Sequence, residues 1–404
     1  MAAVLLLSLV AVLSCALDGA ILARAAVVDP NIKVFNVLTF GAKPDGKKES
    51  TMAFMKAWNA ACHYPGKARM VIPYGTFLVG QVIFQGPCAG PPPMVVQFQG
   101  TVKAVTDIDA YPSPEWFMFD TINGLLLTGG GTLDGQGGDD WKYNDCSQNN
   151  DCQLMPANVK FNGIQNGQIR RINSVNSKAF HFQINKCQNF GVRRLNVSAP
   201  ETSPNTDGIH ISESNSVRIS NTVIGTGDDC ISVGQGSTNI TISRVRCGPG
   251  HGISIGSLGK YPDEKDVTGV IVRNCTLTNT DNGVRIKTWP GSPPSLAKGF
   301  LFEDIIMENV RNPIIINQQY CASSSCSTKE VTDVHFRDIR GTSASKVAVN
   351  IACSSALPCQ NIELFNINLQ STTPNLLFQP STCSNVKLGF SGIQIPPPCV
   401  VSKS

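Results

Sequence analysis

The chain has 404 residues, a formal net charge of +4, only 15% charged residues and 36 glycines. A chain this long can bury a large core, and its glycine-rich, weakly charged composition suits strands joined by tight turns and excludes a helical bundle. No dense Lys/Arg run is present, which argues against a nucleic-acid partner.

Ala2 to Leu17 is an apolar run, followed by a small-x-small site at Ala23-Arg24-Ala25. This pattern predicts a signal peptide over 1–25 and a single domain over 26–404. The run is too short for a comfortable membrane span, so the mature chain is expected to be secreted, monomeric and without a membrane partner. Of fifteen cysteines one lies in the leader. Close spacing suggests disulfides Cys146/Cys152, Cys230/Cys247, Cys321/Cys326 and Cys353/Cys359. Order alone adds Cys62/Cys88 and Cys383/Cys399 and leaves Cys187 and Cys275 as buried thiols. Zinc is disfavoured, because no C-x-x-C pair occurs among them. Sequons stand at Asn196, Asn239 and Asn274.

After a short strand and a turn at Pro44-Asp45-Gly46, Ser50 or Thr51 can cap a helix running through Cys62. Its apolar residues (Phe54, Met55, Ala57, Trp58, Ala61, Cys62) recur at helical spacing. Strands are expected around Met70–Ile72, Thr76–Val79, Val95–Val105 and Trp116–Leu127. From Phe180 a repeat becomes legible, with strand starts near Phe180, Ile209, Ile231, Ile253, Val284, Ile314, Val349 and Leu377. Second strands such as Val217–Ile219, Ile240–Ile242 and Val270–Val272 lie between them, entered through Asn, Gly or Ser. A period in the low twenties carrying short β-branched strands is the mark of a solenoid. Propeller blades need about forty residues, and leucine-rich repeats need a Leu-x-Leu signature with helices. The expected fold is all-β, a parallel β-helix whose open end the N-terminal helix caps.

The repeat also carries polar residues in register. Asp207 precedes Ile209-His210-Ile211, Asp229 precedes Ile231-Ser232-Val233, and His251 precedes Ile253-Ser254-Ile255; both intervals are 22 residues. Stacked coils would set the three side chains in a column with steps of about 4.8 Å. Strict alternation would point them inward, so Gly208, Cys230 and Gly252 must mark a turn or bulge that re-aims them. Arg285 and Lys287 alternate with inward Val284 and Ile286 and extend the polar face by one coil.

With Asp228 the column becomes three carboxylates, one imidazole and two cations. Carboxylates this close cannot all ionise freely, so at least one should hold its proton above the ordinary range. A retained carboxylic acid beside an ionised carboxylate is what glycosidic cleavage needs, and Arg285 and Lys287 suit a substrate bearing carboxylates. Each fragment alone reads as structure: Asn205-Thr206-Asp207-Gly208 is a good turn, and a His between glycines is usually a turn residue. A second Gly-Asp-Asp at 138–140 falls outside the register and reads as a solvated loop. Calcium could bind an acidic cluster, but the nearby cations oppose it.

These segments resemble the signatures of the polygalacturonases, pectin-cleaving glycoside hydrolases: Ser203-Pro204-Asn205-Thr206-Asp207-Gly208, Gly227-Asp228-Asp229-Cys230, Gly248-Pro249-Gly250-His251-Gly252 and Arg285-Ile286-Lys287. The likeness runs from about Phe35 to Cys399. It is strongest to plant pollen-type exopolygalacturonases, as in Gly256-Ser257-Leu258-Gly259 and Arg285-Ile286-Lys287-Thr288-Trp289-Pro290. The resemblance implies a right-handed parallel β-helix and hydrolysis of α-1,4-galacturonan with inversion, without metal or cofactor. It implies Asp228 as general acid, Asp207 and Asp229 as the carboxylates that position and activate water, and His251 as the residue that tunes the acid. Arg285 and Lys287 would bind galacturonate carboxylates, with Tyr320 and Asn205 as further substrate contacts. The competing readings are an endo-acting enzyme, a calcium-dependent pectate lyase and an inactive wall-binding relative.

Overall fold

The computed structural model describes residues 31–144, 154–291, 294–320, 329–372 and 380–399. The expected leader, the pairs Cys146/Cys152 and Cys321/Cys326, and the strand start at Leu377 lie outside these residues.

Strands pair in parallel between successive coils. They form an eleven-stranded sheet, in which each coil contributes one short strand, and a nineteen-stranded sheet that takes the longer return strands. The alternation read from the sequence explains the stacking. In the eleven-stranded sheet Ile209 pairs with Ile231, then Ile253, Val284, Ile314 and Val349. Two residues on, Ile211, Val233, Ile255, Ile286, Ile316 and Ile351 form a second ladder. Both ladders are fully buried. Opposite them, Ile219, Ile242, Val272, Phe302, Phe336 and Leu364 stack in the other sheet, where the rings of Phe302 and Phe336 lie 5.0 Å apart and nearly parallel. Truncating one rung, such as Ile231→Ala, removes packing on both neighbouring coils and should cost about 2–5 kcal/mol.

The turns between strands need left-handed backbone, and polar residues supply much of it. Asn166, Asn189, Asn239 and Asn361 all sit at φ between 52° and 55°. Asn tolerates this region better than most residues, and its side chain can join coils: Asn189 Nδ2 donates to Asn166 Oδ1 at 2.8 Å. Arg171, Arg194 and Arg244 adopt the same conformation, which no turn preference in the sequence announces.

The cap forms as the periodicity predicts, a helix over Thr51–Cys62 that buries Ala53, Phe54, Ala57, Trp58, Ala61 and Cys62. Trp58 stacks on Phe84 of the first coils at 4.7 Å. Ser50 is the cap residue but makes no side-chain cap bond; its hydroxyl accepts from the Lys43 N–H instead. Two expected strands are divided. Residues 95–105 split into Met94–Phe98 and Thr101–Ala104, and 116–127 into Glu115–Asp120 and Asn123–Thr128, with Thr121 at φ 54° in the break. The eleven-stranded sheet also begins earlier than the repeat was legible, at Val82–Gln85.

The disulfides Cys62–Cys88, Cys230–Cys247, Cys353–Cys359 and Cys383–Cys399 form as expected, and Cys187 and Cys275 are buried free thiols. All three sequon asparagines are exposed. No described helix is long and apolar enough to cross a membrane. One expectation fails. The Gly138-Asp139-Asp140 segment is not a solvated loop throughout, because Asp140 is buried and ion-paired to the buried Lys178. A buried carboxylate needs such a partner, and Lys178 comes from the next coil, which sequence spacing does not reveal.

Candidate active site

The outward positions of the eleven-stranded sheet form a column of their own: Gln183, His210, Ser232, Ser254 and Arg285 stand in register on successive coils. The acidic turns lie just before these strands, and the chain bends at Gly208, Cys230 and His251. Gly252 alone of the three expected re-aiming residues uses a positive φ, +86°. The turns are tied to one another, since the Gly227 N–H donates to Thr206 Oγ1 at 3.1 Å. A Cβ on Gly227 would run into the Ser203 carbonyl.

This arrangement brings Asp207, Asp228, Asp229, His251, Arg285 and Lys287 together, each in a different environment. Asp229 is buried at the centre. Arg285 Nη2 donates to its Oδ1 and Lys287 Nζ to its Oδ2, both at 2.8 Å, and Ser254 Oγ adds a bond to Oδ1, also at 2.8 Å. Burial alone would raise this carboxyl, but Lys287 and Arg285 together hold it below the usual carboxylate range. Asp207 is also buried, and among the described residues no cation pairs with it; Ser232 Oγ donates to its Oδ2 at 2.6 Å. Burial, and then the charges of Asp228 and Asp229, push the Asp207 carboxyl well up. Of the three carboxyls, Asp207 is the one pushed above the ordinary range.

Asp228 is the accessible member, with 22% of its side chain exposed against 2% for Asp229. Its Oδ1 accepts from the Asp229 N–H at 2.7 Å and lies 3.0 Å from His251 Nδ1. That hydrogen bond is the main reason the His251 pKa rises above its ordinary 6.5. On the far side, His251 Nε2 stands 3.7 Å from Asp281 Oδ2.

Tyr320 joins the cluster too, its ring 5.2 Å from Lys287 Nζ and 6.0 Å from the Arg285 guanidinium carbon. Asn205 lies farther along. It lines a cavity of about 310 Å³ with Phe180, Gln183 and Lys160, which prolongs the outer face of the same sheet away from the acids. Arg285 and Lys287 depart from expectation in one respect: they point outward but are largely buried, gripping Asp229.

Sequence reasoning gave no role to the residues between the acids. Ser232 bridges Asp207 to His210, whose Nδ1 is 2.8 Å from its hydroxyl; burial lowers the His210 pKa to about 4, so this imidazole is neutral. Ser254 bridges Asp229 to Arg285 Nε at 3.0 Å. The signal was present, a small hydroxyl outward in the middle of two consecutive Ile-Ser-aliphatic strands.

A family model described as Glycosyl hydrolases family 28 matches residues 62–392. The chain belongs to this family. An exopolygalacturonase of Platanus acerifolia is 47% identical over 368 residues, covering 90% of this chain and 97% of the relative. An exopolygalacturonase of Zea mays is 42% identical, covering 89% of this chain and 88% of its own. Among solved structures, an exopolygalacturonase from Thermotoga maritima superposes with a TM-score of 0.76 at 19% identity, over 89% of this chain and 90% of that one. A polygalacturonase from Erwinia carotovora does so at 0.71 and 22%, over 85% and 94%. These two are likenesses of fold, the right-handed parallel β-helix.

Within this family 28 chain, ligand atoms of Asp228, Asp229 and His251 lie within 4.8 Å of one another, close enough to suggest a metal site. The donor set fits one poorly. Both oxygens of Asp229 already face a cation, so a divalent ion would meet two fixed positive charges.

Proposed function

We propose that this chain is a secreted polygalacturonase that hydrolyses the α-1,4-galacturonosyl linkages of pectin with inversion, acting from a chain end. The observation that carries the proposal is the division of surroundings among three adjacent carboxyls: one gripped by two cations, one buried with a serine hydroxyl as its partner, one open to the groove. Membership of family 28 and the exopolygalacturonase names of relatives at 42–47% identity support the substrate and the exo mode. Disulfides support an oxidising compartment.

The three carboxyls act together in the proposed reaction. Asp229 is held as an anion by its two cations, and burial favours the protonated form of Asp207, which stores the proton of the cluster. Asp228 alone reaches the groove, and it delivers that proton to the departing glycosidic oxygen. Ionised Asp229, with Asp207 once its proton has passed on, orients and activates the attacking water. His251 sets the charge beside Asp228 and thereby when the acid is ready. Arg285 and Lys287 have a dual role, holding Asp229 and presenting remaining donors, beneath the Tyr320 ring, to a galacturonate carboxylate.

Chromatography of the earliest products from long polygalacturonate tests the reading. Monomer alone is expected. Mixed oligomers would replace exo with endo action, and unsaturated products absorbing in the ultraviolet would show β-elimination and overturn hydrolysis.

A further inference from the structure

The nineteen-stranded sheet carries a second charged feature that the reaction does not use. On four consecutive coils one arginine each lines a single cleft on its outer face: Arg193, Arg218, Arg244 and Arg273. Register shows how they line up. Arg193 pairs with Ser220, Ser220 with Ser243, and Ser243 with Arg273, while Arg218 stands two residues before Ser220 and Arg244 directly follows Ser243. The serines, with Gly191, give a low floor, and the arginines rim an open cleft of about 620 Å³. All four arginines are exposed, and among the described residues none has a carboxylate within ion-pair distance. Arg244 is held in place by donation from Nε to Asn221 Oδ1 at 3.0 Å. The nearest acid in register is Glu303, which follows Arg273 on the next coil. Beyond it Arg337 resumes the column.

Four unneutralised guanidiniums this close repel one another, so such a row is an unusual surface for a chain of net charge only +4. Arg193 and Arg273 share one register three strands apart, roughly 14 Å, and Arg218 and Arg244 flank that line on opposite sides. A compact anion could meet two of them at most. A linear polymer with one carboxylate per repeating unit can meet all four, each guanidinium offering a forked pair of donors to a carboxylate. The hydroxyls on the floor suit the sugar hydroxyls between the charges.

We propose that this cleft is a second, non-catalytic binding site for an extended polycarboxylate saccharide, which holds the enzyme on its anionic matrix while the active site works at a chain end. The identity of the occupant rests on the proposed substrate, but the site is separate from the acids and can be tested separately. Tethering of this kind raises the effective concentration of chain ends without altering the chemistry.

The test uses the full-length secreted protein carrying Arg193→Gln, Arg218→Gln, Arg244→Gln and Arg273→Gln together, with thermal unfolding to confirm an intact fold. On a short soluble oligogalacturonate, too short to span both faces, its rate should equal that of wild type. Retention on insoluble de-esterified polygalacturonate should fall at least tenfold, and the salt sensitivity of retention should fall with it. Equal retention would overturn the proposal. So would wild-type retention on DNA or a sulfated glycan that exceeds retention on polygalacturonate and is lost in the variant, since the cleft would then serve a different polyanion. Wild type that binds polygalacturonate through these arginines yet hydrolyses no oligogalacturonate would leave this inference standing and remove the proposed function.

Discussion

The chain contains the tripeptide Gly-Asp-Asp twice, and the two copies do the same thing structurally. In each, the second aspartate is buried and held by a lysine from a later coil: Asp140 by Lys178, Asp229 by Lys287. In each, the first aspartate is turned toward solvent. What differs is the company. Asp228 and Asp229 stand in register with Asp207 on one side and His251 on the other, and Arg285 gives Asp229 a second cation. The described surroundings of Asp139 supply no such neighbours. A buried Asp–Lys pair is therefore ordinary architecture in this solenoid. It becomes a candidate for chemistry only where the repeat stacks a second acid against it.

The largest effect that could break this comparison is on turnover. Asp228→Asn should lower the rate of reducing-end release by about 10²–10⁴-fold, while Asp139→Asn should leave it within about twofold; comparable losses would erase the distinction. Stability should show the likeness instead. Asp229→Asn strands Arg285 and Lys287, and Asp140→Asn strands Lys178, so each should cost on the order of 3–5 kcal/mol in denaturant unfolding. Activity should be lost only in the first.

Asp207 should behave in the opposite sense. Its folded pKa is raised above 3.8, so folding favours its protonated form. Its contribution to stability is best below the unfolded value and declines as pH rises from there toward the folded one. Asp207→Asn removes that decline and keeps an acceptor for Ser232. It should stabilise the protein at pH 7 by on the order of 1 kcal/mol, with little change near pH 3.5, and abolish activity at both. The smallest effect concerns His251. Its folded pKa is raised, so its pairing with Asp228 is fully present below pH 6.5 and is lost as pH rises through the folded value. The alkaline limb of kcat/KM should fall above pH 6.5 in wild type and disappear or move in His251→Gln.

The particular residues show where sequence reading succeeded. The 22-residue steps joining Asp207, Asp229 and His251 were visible because no insertion interrupts those two coils, and the register Ile209–Ile231–Ile253 is the direct structural result. Coils before Phe180 were hidden because their intervals vary, so the strands at Val82, Glu115 and Ala157 share no common spacing. Periodicity also cannot report which cation meets which acid. Lys178 with Asp140, and Arg285 with Asp229, are contacts across coils, settled by side-chain reach. The serines at 232 and 254 were legible as outward residues, but their function as bridges depends on the acids beside them. The positive-φ arginines had no signal at all, since nothing in their composition favours a turn.

The central claim is that stacking produces a carboxyl cluster that keeps one proton, residing on Asp207 until substrate binds. Infrared difference titration of wild type against Asp207→Asn, with Asp139→Asn as the control, reads it most directly. The account predicts a protonated carboxyl band that persists in wild type well above pH 3.8, remains in the control and vanishes in Asp207→Asn. A wild-type cluster fully ionised by pH 5, with no band that Asp207→Asn removes, would contradict it.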